Sequence, residues 1–246
     1  MSIYRTIKER GRVASDYYAG RPDYFYLTPA SLALLRAIEA ALPRYCRGRV
    51  LDVGAGRGVY RDLLQKHAND YVGMDLAASF ATTVLGDARR LPFAAASFDT
   101  VFCSQVLEHV PEPALALAEF RRVLRPGGYL ILTVPHISWL HNEPHDYFRF
   151  TVHGLRFLSE RAGFAEAEVV PAGGLFSLAG HILSTLAVNG SFGVPVLHPL
   201  IRKLNRLWVE TMAGLDRLLN NQKVFPLNYL WVAENREAPG AAPAGE

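Results

Sequence analysis

Arg49-Val50-Leu51-Asp52-Val53-Gly54-Ala55-Gly56-Arg57-Gly58 is the stretch from which the rest of the chain can be read. A short apolar run holding one acid ends in glycines at alternate positions. That is the pattern of a buried parallel strand entering a tight turn. Glycine suits the turn because the backbone adopts dihedrals that a Cβ resists, and because a ligand can then approach the main chain closely. A helix predicted over 58–67 would aim its free N–H groups at that ligand. A nucleotide-like cofactor is the first expectation. Dinucleotide-binding turns read Gly-x-Gly-x-x-Gly, but here the third glycine comes one residue early, at Gly58, and Val59 occupies the position that pattern requires.

Asp75 stands 19 residues after Gly56, at the end of a predicted strand over 70–75. In an open α/β sheet this brings its carboxylate to the crevice above the strand ends. An acid there can accept both hydroxyls of a ribose, each bond worth roughly 1.5–3 kcal/mol. A nicotinamide oxidoreductase also carries such an acid, so the later motifs must discriminate. Gly86-Asp87-Ala88 and Leu91-Pro92-Phe93 follow a predicted third strand over 83–86. Ser97-Phe98-Asp99-Thr100-Val101-Phe102-Cys103-Ser104-Gln105-Val106-Leu107-Glu108-His109-Val110 comes next, and Leu124-Arg125-Pro126-Gly127-Gly128 precedes a fifth strand over 129–134.

In this order, the motifs from Asp52 to Pro135 resemble those of the class I S-adenosylmethionine-dependent methyltransferases, and Leu107-Glu108-His109-Val110 closely resembles the methyltransferase type 11 domain. The resemblance covers roughly residues 45–170 and implies S-adenosyl-L-methionine as cofactor. It also implies a Rossmann-like, doubly wound, mostly parallel seven-stranded sheet with an antiparallel edge strand. Carried over residue by residue, it assigns cofactor contacts to Gly54, Gly56, Gly58, Asp75, Leu76, Asp87, Ala88 and Ser104. Asp52 would order the turn and the methionine amino group, Asp87 would accept from the adenine amino group, and His109 would cap the cofactor or the site.

The residues themselves support an α/β reading, because short apolar strands alternate with helical segments. Helices are expected from Thr28-Pro29 to Pro43, over 114–124 and over 151–163, with strands at 49–53, 98–103, 165–170 and 227–232. Residues 1–44 read as an N-terminal helical segment or lid, and 45–236 as the methyltransferase-like domain. Within it, 175–220 reads as a helical cover inserted before the last strand, and 237–246 as a disordered tail. Leu200 to Leu219 has apolar residues every three or four positions and basic ones opposite, the signature of an amphipathic helix.

The loop after the fifth strand is rich in titratable groups, and His136, His141 and His145 are the candidate general bases there. His141 and His145 have the spacing of a metal pair only on a helix, and Pro144 opposes one, so no metal is expected. Tyr17, Tyr18, Arg21, Tyr24, Asp146, Tyr147 and Arg149 are candidate substrate contacts, with loop bracing as the alternative for Asp146 and Arg149. Across 246 residues the net charge is +3 with scattered basic residues, which argues against a nucleic-acid partner. The two cysteines suggest no disulfide framework, and no run is apolar enough for a membrane span. The N-terminus has no apolar h-region, so a cytoplasmic monomer or homodimer is expected. Membrane-surface contact through 175–219 is the alternative to buried cover helices.

The functional expectation is methyl transfer to a small molecule, at a hydroxyl oxygen of a sugar or another hydroxylated metabolite. Carbon methylation of a quinone-like or lipid-linked acceptor, a non-catalytic methyltransferase-like binding module and a nicotinamide oxidoreductase are the alternatives.

Overall fold

The apolar run at 49–53 forms strand β1 (Arg49–Val53) in this computed structural model, which describes residues 3–219 and 221–236. The six other strands are β2 (Asp70–Asp75), β3 (Val84–Leu85), β4 (Phe98–Ser104), β5 (Leu124–Pro135), β6 (Ala165–Ala172) and β7 (Asn228–Glu234). They lie in the order 3-2-1-4-5-7-6. Strands β1 to β5 pair in parallel, whereas β7 runs antiparallel to both β5 and β6. The antiparallel strand is thus inserted one place in, and β6 closes that side of the sheet. The winding reverses between β1 and β4. Loops leaving the carboxyl ends of those two strands therefore part and open a crevice.

Among the described residues seven α-helices accompany the sheet: α1 (Ile3–Tyr18), α2 (Pro29–Tyr45), α3 (Arg61–Gln65), α4 (Pro113–Val123), α5 (Val152–Arg161), α6 (Leu175–Ser191) and α7 (Leu197–Leu219). Side chains alternate across each strand, so one sheet face presents Leu51, Val53, Val101, Cys103, Leu130 and Leu132 to Phe120 of α4 and Leu155 of α5. The opposite face presents Val50, Phe102 and Ile131 to Leu34, Ile38 and Leu42 of α2 and Leu64 of α3. Both faces are covered, which is why the central strands read as nearly continuous apolar runs.

Several boundaries moved. Thr28 caps α2 as expected, accepting from the Ser31 amide at 3.2 Å, but Pro43 lies inside the helix, which runs on to Tyr45. A proline so near the end removes one ladder bond without stopping the last turn. Strand β5 starts at Leu124, directly after α4, because Arg125 binds Asp99 (2.7 and 2.8 Å) and lays this segment along the start of β4. The segment 175–188 is a helix that continues to Ser191, and α7 begins at Leu197 with Pro199 in its first turn. The tail expected at 237–246 lies outside the described residues.

The cover depends on one acid. Asp216 of α7 is buried and accepts from the amides of Gly174, Phe176 and Ser177, each at 2.9 Å. These are the orphan donors at the start of α6, which has no acid of its own in the first turn. Hydrogen bonds to a charged acceptor contribute about 1.5–3 kcal/mol each, though they are not additive. Asp216→Ala is expected to lower the unfolding free energy by roughly 2–5 kcal/mol in urea titration. A loss below about 0.5 kcal/mol, the level of an ordinary surface change, would refute the capping role.

Candidate active site

The glycine turn is stitched to the end of β2. The amides of Gly54 and Ala55 donate to Met74 O at 2.8 and 3.0 Å, and the Gly56 amide donates to Asp75 Oδ2 at 2.9 Å. Gly54 has φ +76°, and a Cβ there would run into Val106, so this turn and the loop after β4 touch at the switch point. Gly56 differs. A Cβ there would meet nothing nearer than Gly54 O at 3.8 Å and Asp75 Oδ2 at 3.9 Å. Packing does not fill that position, so the missing side chain keeps a cradle open beside the Asp75 carboxylate. Gly58 donates to Ala55 O at 2.8 Å and closes the turn on itself. The helix expected over 58–67 is only the five residues of α3. It does not supply the row of free amides anticipated for it.

Asp52 lies beneath this turn on β1, buried, with Tyr71 Oη donating to its Oδ2 at 2.7 Å. Burial pushes its carboxyl up to about 7, the Tyr71 bond pulls it down, and the neighbouring Asp75 pushes it up. Tyr60 fills the space beyond the turn, its ring 5.6 Å from Phe25 and 5.4 Å from Phe102. Ser104, at the end of β4, shares a 2.8 Å hydrogen bond with Thr133 of β5. Tyr60 and Thr133 were not singled out in the sequence, which marks them only as ordinary core-forming types.

The second expected cofactor patch is more constrained. Asp87 accepts from the Arg89 amide at 2.8 Å and from its guanidinium at 2.6 Å, while Arg89 also reaches Glu112 at 2.6 Å. Arg89 holds the Asp87 carboxyl below the usual carboxylate range. The acid expected to receive an adenine amino group is therefore already pinned by a cation. Ala88 is buried beside it, and Leu76 stands exposed at the end of β2.

The loop after β5 departs furthest from expectation. The Asp146 side chain is buried, accepting from the His141 amide at 2.7 Å and from both Arg149 terminal nitrogens at 2.6 and 2.7 Å. Arg149 also donates to the carbonyls of Ser138, Trp139 and Phe148. These bonds make the pair a brace for the loop. Tyr147 is exposed, its hydroxyl 3.0 Å from His145 Nδ1. The three candidate bases are separated. His136 Nδ1 lies 2.9 Å from Phe150 O, and His145 faces Tyr147 at the surface. His141 does not pair with His145. It meets Glu108 and His109 from the loop after β4, its ring 4.8 Å from that of His109. The Glu108 carboxylate favours the charged form of His141, against the burial that opposes it.

Glu108 entered the sequence reading only as part of a motif. Its side chain is fully buried and neither oxygen has a hydrogen-bond partner. The Leu-Glu-His order could have flagged it, since a glutamate beside a histidine at a strand end is a titratable pair over the crevice.

Helix α1 straps the crevice. Asp16 binds Arg57 of the glycine turn at 2.9 Å, and Lys8 binds Glu143 of the loop after β5. Tyr17 is exposed beneath the Arg21 guanidinium, 4.3 Å from its ring centre. Tyr18 is buried, its hydroxyl 3.0 Å from both His198 and Arg202 of α7, so it packs the cover rather than lining open space. Tyr24 packs against that cluster and edge-on to Phe25. Trp139 stacks on His181 of α6 at 4.3 Å, joining the cover to the β5 loop.

The sequence profile of the methyltransferase domain matches residues 51–132. Residues 51–132, a third of the chain, thus carry a domain of the S-adenosylmethionine-dependent methyltransferase type 11 family. An uncharacterised methyltransferase of Mycobacterium tuberculosis is 38% identical over 130 residues, covering 49% of this chain and 49% of that protein. The ubiquinone biosynthesis O-methyltransferase of Paracidovorax citrulli is 36% identical over 101 residues, covering 35% and 42%. The chain spans less than half the length of the curated relatives it matches. Among solved structures, a chain in the complex between the Haloferax volcanii Trm112 methyltransferase activator and a methyltransferase shares the fold. Its TM-score is 0.61 at 19% identity, covering 95% of this chain and 99% of that one.

Asp52 makes stability depend on pH in a specific direction. A carboxyl raised in the fold keeps a proton there that the unfolded chain gives up. Its contribution is therefore lost as pH rises from its ordinary range near ~4 toward about 7, and is flat above. Asp52→Asn removes the effect. The stability difference between variant and wild type, from urea titrations of the ligand-free protein, should grow over that window by up to a few kcal/mol. A difference independent of pH would contradict the buried carboxyl.

Proposed function

We propose that this protein transfers a methyl group from S-adenosylmethionine to a hydroxyl oxygen of a small molecule, a sugar or another hydroxylated metabolite. The observation that carries the reading is the open cradle at Gly56, with the buried Asp52 beneath it and Asp75 beside it at the switch point. The group this cradle fits is a nucleoside bearing a cation. Asp52 offers a poorly solvated carboxylate to an ammonium, which stabilises its charged form. Asp75 keeps lone pairs for ribose hydroxyls beyond the bonds it accepts from Gly56 and Ala77. Helix α3, at five residues, is a poor phosphate site, because a dipole this short adds little to anion binding. This disfavours a dinucleotide and supports a cofactor without a pyrophosphate.

Within the second patch, Ala88 and Asp87 border the adenine, with Arg89 fixing the Asp87 carboxylate. Ser104, Leu76 and His109 complete the cofactor's surroundings. When bound, S-adenosylmethionine supplies a methyl carbon on a sulfonium, whose departure leaves a neutral thioether. The chain must then hold an acceptor oxygen in line, near ~3–3.5 Å, and assist loss of its proton. The cluster of Glu108, His109 and His141 lies where the loops after β4 and β5 meet, and it is the part of the site suited to that task. The strap from Lys8 to Asp16 and the Trp139–His181 stack enclose the acceptor from water. The name of the ubiquinone biosynthesis O-methyltransferase supports an oxygen acceptor.

A second reading, methylation of a ring carbon in a quinone-like or lipid-linked acceptor, is favoured by the exposed Ile182, Leu183, Leu186, Leu204 and Leu207 on α6 and α7. Of these, Leu183 and Leu204 border a groove of about 300 Å³ between the two helices, together with Ala187, Ile201 and Trp208. The same face could receive a second copy of the chain or a membrane surface. Among the described residues no helix is long and apolar enough to cross a membrane.

Calorimetry with S-adenosylhomocysteine should give a dissociation constant in the micromolar range, weakened about tenfold or more by Asp75→Ala. No binding by the intact chain would overturn the reading. Labelled S-adenosylmethionine offered with a panel of hydroxylated acceptors should yield methyl ethers. Label confined to ring carbons would favour the second reading.

A further inference from the structure

Three groups at the meeting of the β4 and β5 loops are arranged without an adequate partner. The Glu108 carboxylate is sealed from solvent and neither oxygen has a hydrogen-bond partner. A carboxyl sealed in this way is poorly suited to carry charge unless something positive faces it. His109 Nε2 and His141 Nε2 each stand 3.7 Å from Glu108 Oε1, too far for a hydrogen bond. Ligands sharing one ion at ~2.0–2.2 Å sit about 3.4 Å apart in a tetrahedral set, so the two 3.7 Å separations need a slight contraction and the 4.8 Å span of the whole set a larger one. Donor atoms of all three side chains lie within 4.8 Å of one another.

The outer contacts point the same way. His109 Nδ1 is 2.7 Å from His145 O, and His141 Nδ1 is 3.3 Å from Trp139 O. A carbonyl accepts only from a protonated nitrogen, so both carbonyls place a proton on Nδ1; an imidazole neutral in that tautomer turns its Nε2 lone pair toward Glu108, and on His141, whose charged form Glu108 favours, an ion takes the place of the Nε2 proton. Three acceptors then converge on one point. A backbone carbonyl behind an imidazole is also the usual outer support of a metal-bound histidine. The two loops are fixed relative to each other, because Glu108 O accepts from the amides of Tyr147 and Phe148 at 2.9 and 3.3 Å. Asp146 holds the His141 amide in place.

We propose that Glu108, His109 and His141 bind one divalent transition-metal ion. Two imidazoles and one carboxylate suit zinc, cobalt, iron or manganese rather than magnesium or calcium. Glu108 is fully buried while His109 and His141 side chains are 18% and 31% exposed, so the ion's free position lies on the open side. A three-ligand site with such a position is the pattern of a catalytic rather than a structural ion. Resting on the methyl-transfer reading, the ion takes the acceptor hydroxyl oxygen, and the hydroxyl proton leaves to solvent as its pKa falls. The sequence did not expose the set, because the ligands come from two loops and His145 seemed the nearer partner of His141.

The test uses the full chain, stripped with a chelator and titrated with cobalt(II) and then zinc(II). One equivalent of cobalt should bind, giving the visible absorption of a low-coordinate nitrogen–oxygen site, and zinc should displace it. His141→Asn and His109→Asn should weaken binding by roughly 100-fold or more, with circular dichroism unchanged. Glu108→Gln should do the same if it folds, and His153→Ala on α5 should have no effect. Absence of stoichiometric uptake by the intact chain, or wild-type affinity in both histidine variants, would overturn the site. Titrating S-adenosylhomocysteine into the metal-free chain separates the two ideas: its failure to bind sinks the methyl-transfer reading and leaves the metal site standing.

Discussion

The hydrogen bond from the Gly56 amide to the Asp75 carboxylate is the constraint on which the cofactor side of the crevice depends. It ties the turn after β1 to the end of β2, and it needs the two strands to end at the same height. The parallel register supplies this, with Val53 opposite Met74. The register in turn follows from Val50, Leu51 and Val53, since a slip of one residue would exchange the two buried faces of the strand. A chain of causes thus runs from three apolar side chains to the position of one carboxylate. Burial of Asp52 belongs to the same chain. Strand β1 is sealed on both faces, so any acid on it loses water, and only the Tyr71 hydroxyl offsets that loss.

The central sheet was legible for the same reason that it is stable. Strands covered on both faces must be apolar throughout, and glycines must follow where the chain turns over the crevice. Residues 49–53, 98–103 and 129–134 could be read without tertiary information. What could not be read was anything decided across the chain. Leu124 joins β5 because Arg125 meets Asp99, 26 residues away in sequence. The start of α6 is capped by Asp216, 42 residues beyond Gly174. Local propensity contains no trace of either. The length of α3 failed differently: the pattern around Leu63 and Leu64 is helical, but Gly48 O draws the amides of Asn69 and Asp70 to the start of β1 and the helix has no room.

The candidate site divides along the same line. Gly54, Gly56, Gly58 and Asp75 stand where spacing put them, because a strand, a turn and the next strand end are all local. For Asp146 and Arg149 residue type allowed both substrate contact and loop bracing, and the fold shows the bracing bonds. Glu108 had the opposite fate. In the sequence it is one letter of a motif. In the fold it is a sealed carboxylate facing two imidazoles, one of them 33 residues away. A buried charge announces itself only through what fails to surround it, and that is visible only in three dimensions.

The two ends of the crevice therefore carry the same electrostatic problem, a carboxyl without a cation. Beneath the glycine turn, burial and the nearby Asp75 disfavour ionisation of the Asp52 carboxyl. Above β4 and β5, Glu108 lacks any hydrogen-bond donor. A cation at each end relieves both: an ammonium at the first, a metal ion at the second. The acceptor would lie between them, with the strap from Lys8 to Asp16 crossing the gap. Enclosure of that gap strengthens each charge interaction by excluding water. The same exclusion makes an unfilled site costly. The fold therefore holds its carboxylates ready at some expense in stability, and that expense is recovered when the cations arrive.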